Sequence, residues 1–316
     1  MTSVVSTSIP TTSPLYSADV DAGVGLLLIT CFVLGAVGNT LALGYFLSGK
    51  RTTSNILYLS IVAVDLVSIG LALCPGLSHF EHRDPLLLSS PLFCNLWGVF
   101  FFVSSRLSVF LVAVLSVSRT VSLLSPFTAD RRSHVLTPIL VYTALLFLVS
   151  FLPYLYHDIY TYSRSIVFCG WDIPDHHYLP IFISVFILLN ILPFFPVVLS
   201  CILSVWELSR PSLSAGYTNK GRGEEKRFTS TTIVILTSIY LLLNLPVVVY
   251  SLLFVVGSMD LFSNYLTVFV FVYNVGINAA VNPVVYLCRF RGFRKYLKLL
   301  RWGGSFRRPI TLDSPV

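Results

Sequence analysis

The sequence predicts an all-α membrane protein, a bundle of seven transmembrane helices followed by a short amphipathic helix on the cytoplasmic side. Composition is the first indication. Of the 316 residues, 55% are hydrophobic and 11% are charged, whereas soluble domains carry about 25% charged residues. The mean hydropathy of +0.82 agrees with this. The length of the apolar runs and the placement of the basic residues are the other two indications.

Seven apolar runs are long enough to cross a membrane, which takes roughly 20 residues for about 30 Å of hydrocarbon. The predicted spans lie near residues 23–47, 55–77, 92–118, 135–156, 178–206, 229–256 and 262–287. Residues 1–22 are rich in Ser and Thr and contain no Lys or Arg. We interpret them as a short extracellular tail, because a secretory signal needs a positive segment before its apolar stretch.

Basic residues lie mainly on one side of the predicted bundle. With the N-terminus outside, 18 Lys and Arg residues fall on the inner side, and only Arg83 and Arg164 fall on the outer side. This positive-inside bias predicts a cytoplasmic C-terminus. The predicted organisation is a tail over 1–22, a seven-helix domain over 23–288, an amphipathic helix over 289–300 and a cytoplasmic tail over 301–316.

The excess of basic residues, with a pI of about 9.1, is explained by the same topology. An inner belt of Lys and Arg faces the anionic lipids of the cytoplasmic leaflet. The sequence contains no nucleic-acid-binding pattern, so membrane lipids are the expected partner of this charge and nucleic acid is not.

Two of the six cysteines are predicted to form a disulfide bond. Cys94 lies at the outer end of the third helix, and Cys169 lies in the outer loop between helices 4 and 5. Both face the oxidising compartment, where disulfides persist. The alternative interpretation is a pair of unrelated buried thiols.

Polar residues inside the membrane are few, and such residues are usually functional. Asp65 is the only acidic residue deep in a predicted span. Helix 7 carries four polar residues at intervals of four: Asn274, Asn278, Asn282 and Tyr286. This spacing puts them on one helical face, which must point into the bundle for the amides to be satisfied.

Two functions are open for these polar groups. Oxygen ligands suit Na⁺, and the candidate ligands are Asp65, Ser108, Asn278 and Asn282. The other interpretation is hydrogen bonding between helices, to which Asn39 and Asn244 would also contribute. The two interpretations are compatible.

Prolines interrupt three of the predicted helices. Each removes a backbone donor and weakens the helix at that point; they are Pro193 and Pro196 in helix 5, Pro246 in helix 6 and Pro283 in helix 7. Together with the polar network they indicate a bundle with two arrangements of similar energy.

Several motifs in this order resemble the rhodopsin-like (class A) G-protein-coupled receptors, over about residues 23–300. The matching features are Asn39 in GNTLAL, Asp65, Cys94 placed 25 residues before Arg119, the NPVVY segment at 282–286, and Phe293 in RFRGFRKYLKLL. The resemblance implies a plasma-membrane receptor that is not an enzyme. It would transmit binding of a small extracellular ligand to a heterotrimeric G protein, with arrestin as a further partner.

The resemblance also gives a role to Arg119, which packs under the inactive bundle in such receptors and faces the G protein when helix 6 swings out, held there with the help of Tyr286. The family usually has Asp-Arg-Tyr, where this chain has Ser118-Arg119-Thr120. Because the neighbouring carboxylate is missing, we expect Arg119 to be held less tightly and basal activity to be raised. Glu224 or Glu225, at the foot of helix 6, could replace that carboxylate.

Other family positions also differ. The helix-6 motif Cys-Trp-x-Pro is replaced by Leu-Asn-Leu-Pro, which ends in Asn244, Leu245 and Pro246. Thr143 stands roughly where helix 4 usually has Trp, and Cys201 and Ser204 stand where helix 5 usually has Tyr. We therefore expect activation to run through a polar contact of Asn244, Asn278 and Asp65.

The resemblance excludes two ligand classes. Phe101 occupies the place of the acid that binds amines, and Gly276 occupies the place of the lysine that binds retinal. No cofactor other than Na⁺ is expected.

Arg106 is the residue that points to a ligand. It lies 12 residues after Cys94, about 18 Å along the helix and near mid-membrane. We expect Asp65 on the opposite side of helix 3, so the guanidinium requires another anion, such as an acidic, chemosensory ligand. Candidate ligand contacts are Phe101, Phe102, Ser105, Arg106 and Trp171. The alternative is pairing with Asn190 or with carbonyls freed by the helix-5 prolines.

Two other protein classes are weighed against a receptor. A seven-helix relative that couples poorly to G proteins would explain the missing acid and Trp. A transporter or channel would favour inverted repeats or broken helices at midplane, which the sequence does not show. It also lacks a nucleophile–base pair or a phosphate-binding loop, so it does not point to an enzyme.

Overall fold

The computed structural model describes residues 18–49, 52–81, 90–124, 132–156, 160–163, 168–171, 188–189, 191–209, 220–255 and 265–301. The elements in this part are α1 (Ala18–Ser48), α2 (Thr53–Glu81), α3 (Pro91–Leu124), α4 (Arg132–Tyr156), β1 (Tyr160–Ser163), β2 (Phe168–Trp171), α5 (Phe194–Ser209), α6 (Lys220–Val255), α7 (Tyr265–Arg289) and α8 (Arg291–Arg301). The fold is therefore the predicted helical bundle, with an amphipathic helix after the last long helix.

Within the described part of the chain, three apolar helical segments are each long enough to span a membrane: Gly25–Ser48, Thr53–Leu73 and Pro91–Ser122. Shorter apolar segments occur in α4, α5 and α6: Val135–Phe151, Phe194–Trp206 and Val234–Val249. The helices are continuous because they consist of apolar residues whose backbone groups must bond internally in lipid.

Helix ends differ from the predicted spans at several places. Helix α1 begins at Ala18, so the last five residues of the tail predicted over 1–22 are helical. Helix α6 begins at Lys220, nine residues before the apolar run at 229, because charged residues such as Lys, Glu and Arg also favour a helix. In the fifth span, a turn at 192–193 precedes α5, where Pro193 lacks a backbone donor.

A short hairpin next to α3 was not predicted from the sequence. Strand β1 pairs antiparallel with β2, with Tyr160 opposite Trp171 and Tyr162 opposite Cys169. Cys169 is bonded to Cys94 near the first residue of α3, with their Cα atoms 5.4 Å apart. The predicted disulfide is confirmed, and it attaches the hairpin to α3.

Helix α3 is the central helix of the described bundle. It contacts α2, α4, α5 and α6. Of its apolar 18-residue segment 78% is buried, whereas the corresponding value for α1 is 18%. The side chains of α3 are thus placed where several helices meet, whereas much of α1 faces outward with exposed apolar residues such as Leu34 and Val37.

A close approach of the α1 backbone at Gly38 to the ring of Pro283 fixes α1 against α7. A Cβ atom added at Gly38 would lie 2.5 Å from Cβ and 2.8 Å from Cγ of Pro283. Because the proline ring cannot rotate away, only glycine fits here. This contact sets the position of the NPVVY segment relative to Asn39, one residue after Gly38.

Candidate functional site

The buried carboxylate of Asp65 joins three helices. Its side chain is 1% exposed. Ser108 on α3 donates a hydrogen bond from Oγ to Oδ1 over 2.7 Å, and Asn282 on α7 donates from Nδ2 to Oδ2 over 2.7 Å. Both carboxylate oxygens therefore accept hydrogen bonds, as a buried charge requires.

Helix α1 is tied to the same region by Asn39, whose side chain is fully buried. Its Nδ2 donates to the carbonyl of Ala279 over 2.8 Å and to that of Gly35 over 2.9 Å. The polar stripe on α7 faces inward as predicted, since Asn278, Asn282 and Tyr286 are all buried.

A small cavity extends from this network toward α6. Its lining residues are Asp65, Ser68, Ser105, Arg106, Ser108, Val109, Asn244, Asn274 and Asn278. The cavity has room for about one water molecule. Its lining combines the Asp65 carboxylate with a guanidinium, hydroxyls and amides, so it can hold water or a small ion but not the body of an organic ligand.

The positions of Asp65 and Arg106 around α3 agree with the prediction. The helical positions of residues 106 and 108 predicted opposite sides of α3, and Asp65 accepts the hydrogen bond of Ser108, whereas Arg106 interacts with tyrosines of α4 and α6. Both residues nevertheless line one cavity, which the sequence did not indicate. The cavity follows α3 from Ser105 to Val109, more than one helical turn, so residues on different sides of the helix contribute to it.

Arg106 is buried, with 6% of its side chain exposed. It interacts electrostatically with Tyr142 on α4 and Tyr240 on α6. Tyr142 donates from its hydroxyl to the carbonyl of Leu189 over 2.9 Å. The guanidinium is therefore at the meeting point of α3, α4 and α6.

The structure separates the predicted ligand contacts. Ser105 and Arg106 line the cavity, but Phe101 and Phe102 are not among its lining residues. They belong to the apolar cluster around the Cys94–Cys169 disulfide bond, where Phe101 stacks on Trp97 with ring centroids 4.9 Å apart. The backbone of Trp171 lies in β2, and its side chain, like all of Asn190, lies outside the described residues.

Arg119 lies near the end of α3 that is remote from the disulfide bond, and it is half-buried. Its guanidinium carbon is 6.0 Å from the centre of the Tyr58 ring on α2. Ser118 is half-buried, and its carbonyl accepts a hydrogen bond from Ser122 Oγ over 2.8 Å. Glu224 and Glu225 belong to α6, but their side chains lie outside the described residues.

Hydroxyl contacts connect α3 to α5 and α6 at this level. Thr120 Oγ1 donates to the carbonyl of Ser116 over 3.0 Å and lies 3.3 Å from Ser204 Oγ. Ser116 Oγ lies 3.4 Å from Thr237 Oγ1. Ser204, one of the two candidate positions for the family's helix-5 Tyr, thus contacts the residue that follows Arg119.

Asn244, the polar residue of α6 predicted from the sequence, lies seven residues after Thr237, about two helical turns away. Asn244 lines the cavity with Asp65 and Asn278, and its Nδ2 donates to the carbonyl of Tyr240 over 3.0 Å. Asn274 on α7 donates to the carbonyl of Leu243. Pro246 lies inside α6 and Pro283 inside α7, so both helices have a weakened point next to the cavity.

Three residues of this site were missed in the sequence, although a signal for them exists. Tyr58 precedes Asp65 by seven residues, and Thr237 precedes Asn244 by seven, so each pair lies on one helical face. Ser116 follows Ser108 by eight residues on α3. A search two helical turns from Asp65, Asn244 and Ser108, toward the end of the bundle that holds Arg119, would have found all three.

Comparison with known proteins supports the fold and the family. The chain is similar to the crystal structure of squid rhodopsin, with a TM-score of 0.69 and 18% sequence identity over 91% of this chain and 87% of the rhodopsin chain. Among curated proteins, none matches the sequence. The family model for the 7 transmembrane receptor (rhodopsin family) matches residues 38–286, which is more than half of the chain. The chain therefore belongs to the rhodopsin family of seven-transmembrane receptors.

Proposed function

We propose that this receptor activates a heterotrimeric G protein through Arg119, that it signals measurably without a ligand, and that its ligand is a small extracellular acid. The observation that carries the proposal is the environment of Arg119. It is half-buried at the inner end of the central helix and contacts an aromatic ring, while the adjacent position holds Ser118 in place of a carboxylate.

The energies of the two kinds of contact support raised basal activity. A hydrogen bond between charged partners contributes about 1.5–3 kcal/mol, whereas a cation–π contact contributes about 0.5–1 kcal/mol at partly exposed sites. A difference of about 1–2 kcal/mol in the restraint changes the population of the active arrangement by about 5- to 30-fold. The hydroxyl pair of Ser116 and Thr237 is neutral and adds little restraint.

Activation would pass from the cavity to the cytoplasmic end through α6 and α7. Asn244, Asn278 and Asp65 line one cavity, and Pro246 and Pro283 weaken the two helices beside it. A change in the contents or shape of the cavity would alter the hydrogen bonds of these side chains. The helices could then swivel at their prolines and expose Arg119.

The acidic ligand is inferred from Arg106. A buried guanidinium contributes positive charge near the middle of the bundle, and Ser105 beside it offers a hydroxyl. Because the cavity has room for about one water molecule, at most one oxygen of an anionic group would enter it. The body of the ligand would lie nearer the extracellular side, toward Phe101, Phe102 and Trp171.

Sodium is proposed as an ion of the same cavity. Asp65, Ser108 and Asn278 line the cavity and supply carboxylate, hydroxyl and amide oxygens, which suit a hard cation, and the room in the cavity matches a single small ion. Asn282, the fourth predicted ligand, is not among the lining residues and donates a hydrogen bond to Asp65. Arg106 lines the same cavity, and its positive charge opposes a second cation. The donor set therefore fits Na⁺, with weak affinity.

Membrane lipids and arrestin are the remaining proposed partners, with the N-terminus outside. Four basic side chains of α8 are exposed: Arg291, Arg294, Lys295 and Lys298. The opposite side of α8 is anchored by the buried ring of Phe293. A basic helix in this position would lie on the anionic cytoplasmic leaflet. Arrestin is proposed from the family alone.

The first prediction concerns position 118. Ser118→Asp places a carboxylate beside Arg119 and is expected to lower ligand-free G-protein activation by about 5- to 30-fold. Ser118→Asn is the matched control, since it has a similar volume and no charge, and it should stay near the wild-type level. Activation is measured as nucleotide exchange in cells with equal surface expression. A silent wild-type receptor that Ser118→Asp leaves unchanged would contradict raised basal activity.

The second prediction concerns the ligand. In a screen of small carboxylic acids, activating compounds should lose at least about 10-fold in potency on Arg106→Gln, because the anion loses its buried partner. Arg106→Lys keeps the charge and should lose less. Equal potency on wild type and Arg106→Gln, or activation by neutral compounds alone, would refute the acidic ligand.

The third prediction concerns sodium. About 0.15 M NaCl, compared with the same concentration of choline chloride, should raise the melting temperature of the purified receptor by about 1 °C. Asp65→Asn should abolish the difference, and Arg106→Gln should enlarge it by removing the opposing charge. Identical melting temperatures in the two salts for wild type and Arg106→Gln would exclude this site.

A further inference from the structure

We infer that Tyr58 is a positioning residue for Arg119, and that its ring replaces the restraining carboxylate that this chain lacks at position 118. The inference rests on the proposed function of Arg119 and deepens it. Its basis is the contact between the Arg119 guanidinium carbon and the Tyr58 ring, 6.0 Å from the ring centre. Nothing in the motifs of helix 3 indicates this contact, because Tyr58 belongs to helix 2.

The Tyr58 ring is held firmly enough to position a charge. Only 5% of the residue is exposed. Its ring is stacked on Phe46 of α1, with centroids 5.2 Å apart and an interplanar angle of 9°. Phe290, between α7 and α8, contacts it edge-on at 5.2 Å. A ring fixed from two sides offers Arg119 one defined position, and the negative face of its π-system attracts the guanidinium.

The same ring also contacts the NPVVY segment. Tyr58 and Tyr286 meet at 5.7 Å with an interplanar angle of 84°, and Tyr286 in turn contacts Phe46 at 5.4 Å. Tyr58 therefore lies between Arg119 on α3 and Tyr286 on α7. When α7 turns at Pro283 and Tyr286 moves, the packing that fixes the Tyr58 ring is lost, and the restraint on Arg119 is lost with it.

This arrangement couples two motifs that are far apart in sequence. Asp65 holds Asn282, the first residue of NPVVY, over 2.7 Å, and Tyr58 contacts the last residue of the same segment, two helical turns below Asp65 on α2. Helix α2 thus holds the NPVVY segment at both ends. Release of Arg119 then follows from movement of α7 and needs no protonation of an acid next to Arg119.

The test compares substitutions that keep or remove the ring. Tyr58→Leu is expected to raise ligand-free G-protein activation by about 2- to 5-fold, the equilibrium change that corresponds to one cation–π contact. Tyr58→Phe keeps the ring and should stay near the wild-type level. Tyr296→Leu is the matched control, because Tyr296 is another aromatic residue at this end of the bundle that packs on Tyr45 and Phe293.

A second measurement requires no signalling. The melting temperatures of Tyr58→Leu, Arg119→Leu and the double variant are compared with wild type. If the two side chains interact, the double variant should lose about 1–3 °C less than the sum of the single losses. Strict additivity would overturn the inference. So would equal activation by wild type and Tyr58→Leu, or equal increases for Tyr58→Phe and Tyr58→Leu.

The two proposals fail in different ways. If Arg119→Ala leaves G-protein activation intact, the role of Arg119 in signalling is refuted, whatever the melting temperatures show. If Arg119→Ala abolishes activation while Tyr58→Leu behaves as wild type and the melting temperatures are additive, only the positioning role of Tyr58 is refuted.

Discussion

The carboxylate of Asp65 is the constraint on which the rest of the bundle depends. A buried charge in a membrane requires compensation, and here two hydrogen bonds of 2.7 Å come from different helices, α3 and α7. Hydrogen bonds to a charged group contribute about 1.5–3 kcal/mol each. Because hydrophobic attraction between helices is weak in lipid, such bonds decide how α2, α3 and α7 are arranged.

The two ends of the site follow from this arrangement. Toward the disulfide end of α3, the bond from Ser108 to Asp65 brings α3 close enough for Arg106, Asn244 and Asn278 to line one cavity. Toward the Arg119 end, the bond from Asn282 positions NPVVY so that Tyr286 meets Tyr58, whose ring faces Arg119. As a member of the rhodopsin family, the protein is a receptor and not an enzyme, and its described polar groups form a connected route through the bundle.

Much of this could be predicted from the sequence because membrane helices have a strong signal. Long apolar runs, the position of Asp65 and the four-residue spacing of Asn278 and Asn282 predict the bundle and the inward polar stripe. The hairpin of β1 and β2 could not be predicted, since four-residue strands have almost no periodic signal. The shared cavity of Asp65 and Arg106 was missed because helical angles describe directions from the axis and not the extent of a cavity along it. The contact of Arg119 with Tyr58 joins two helices, and spacing within one helix does not reveal it.

The most direct test of the account is a comparison of Asn282→Leu with Ser68→Ala in the purified receptor. Asn282→Leu removes the donor to Asp65, whereas Ser68→Ala, in the same cavity lining, removes only a bond to the Val64 carbonyl within α2. Thermal or denaturant unfolding should show Asn282→Leu destabilised by about 1–3 kcal/mol and Ser68→Ala changed by less than about 0.5 kcal/mol. Equal stability of the two variants and wild type would contradict the claim that the Asp65 carboxylate organises the bundle.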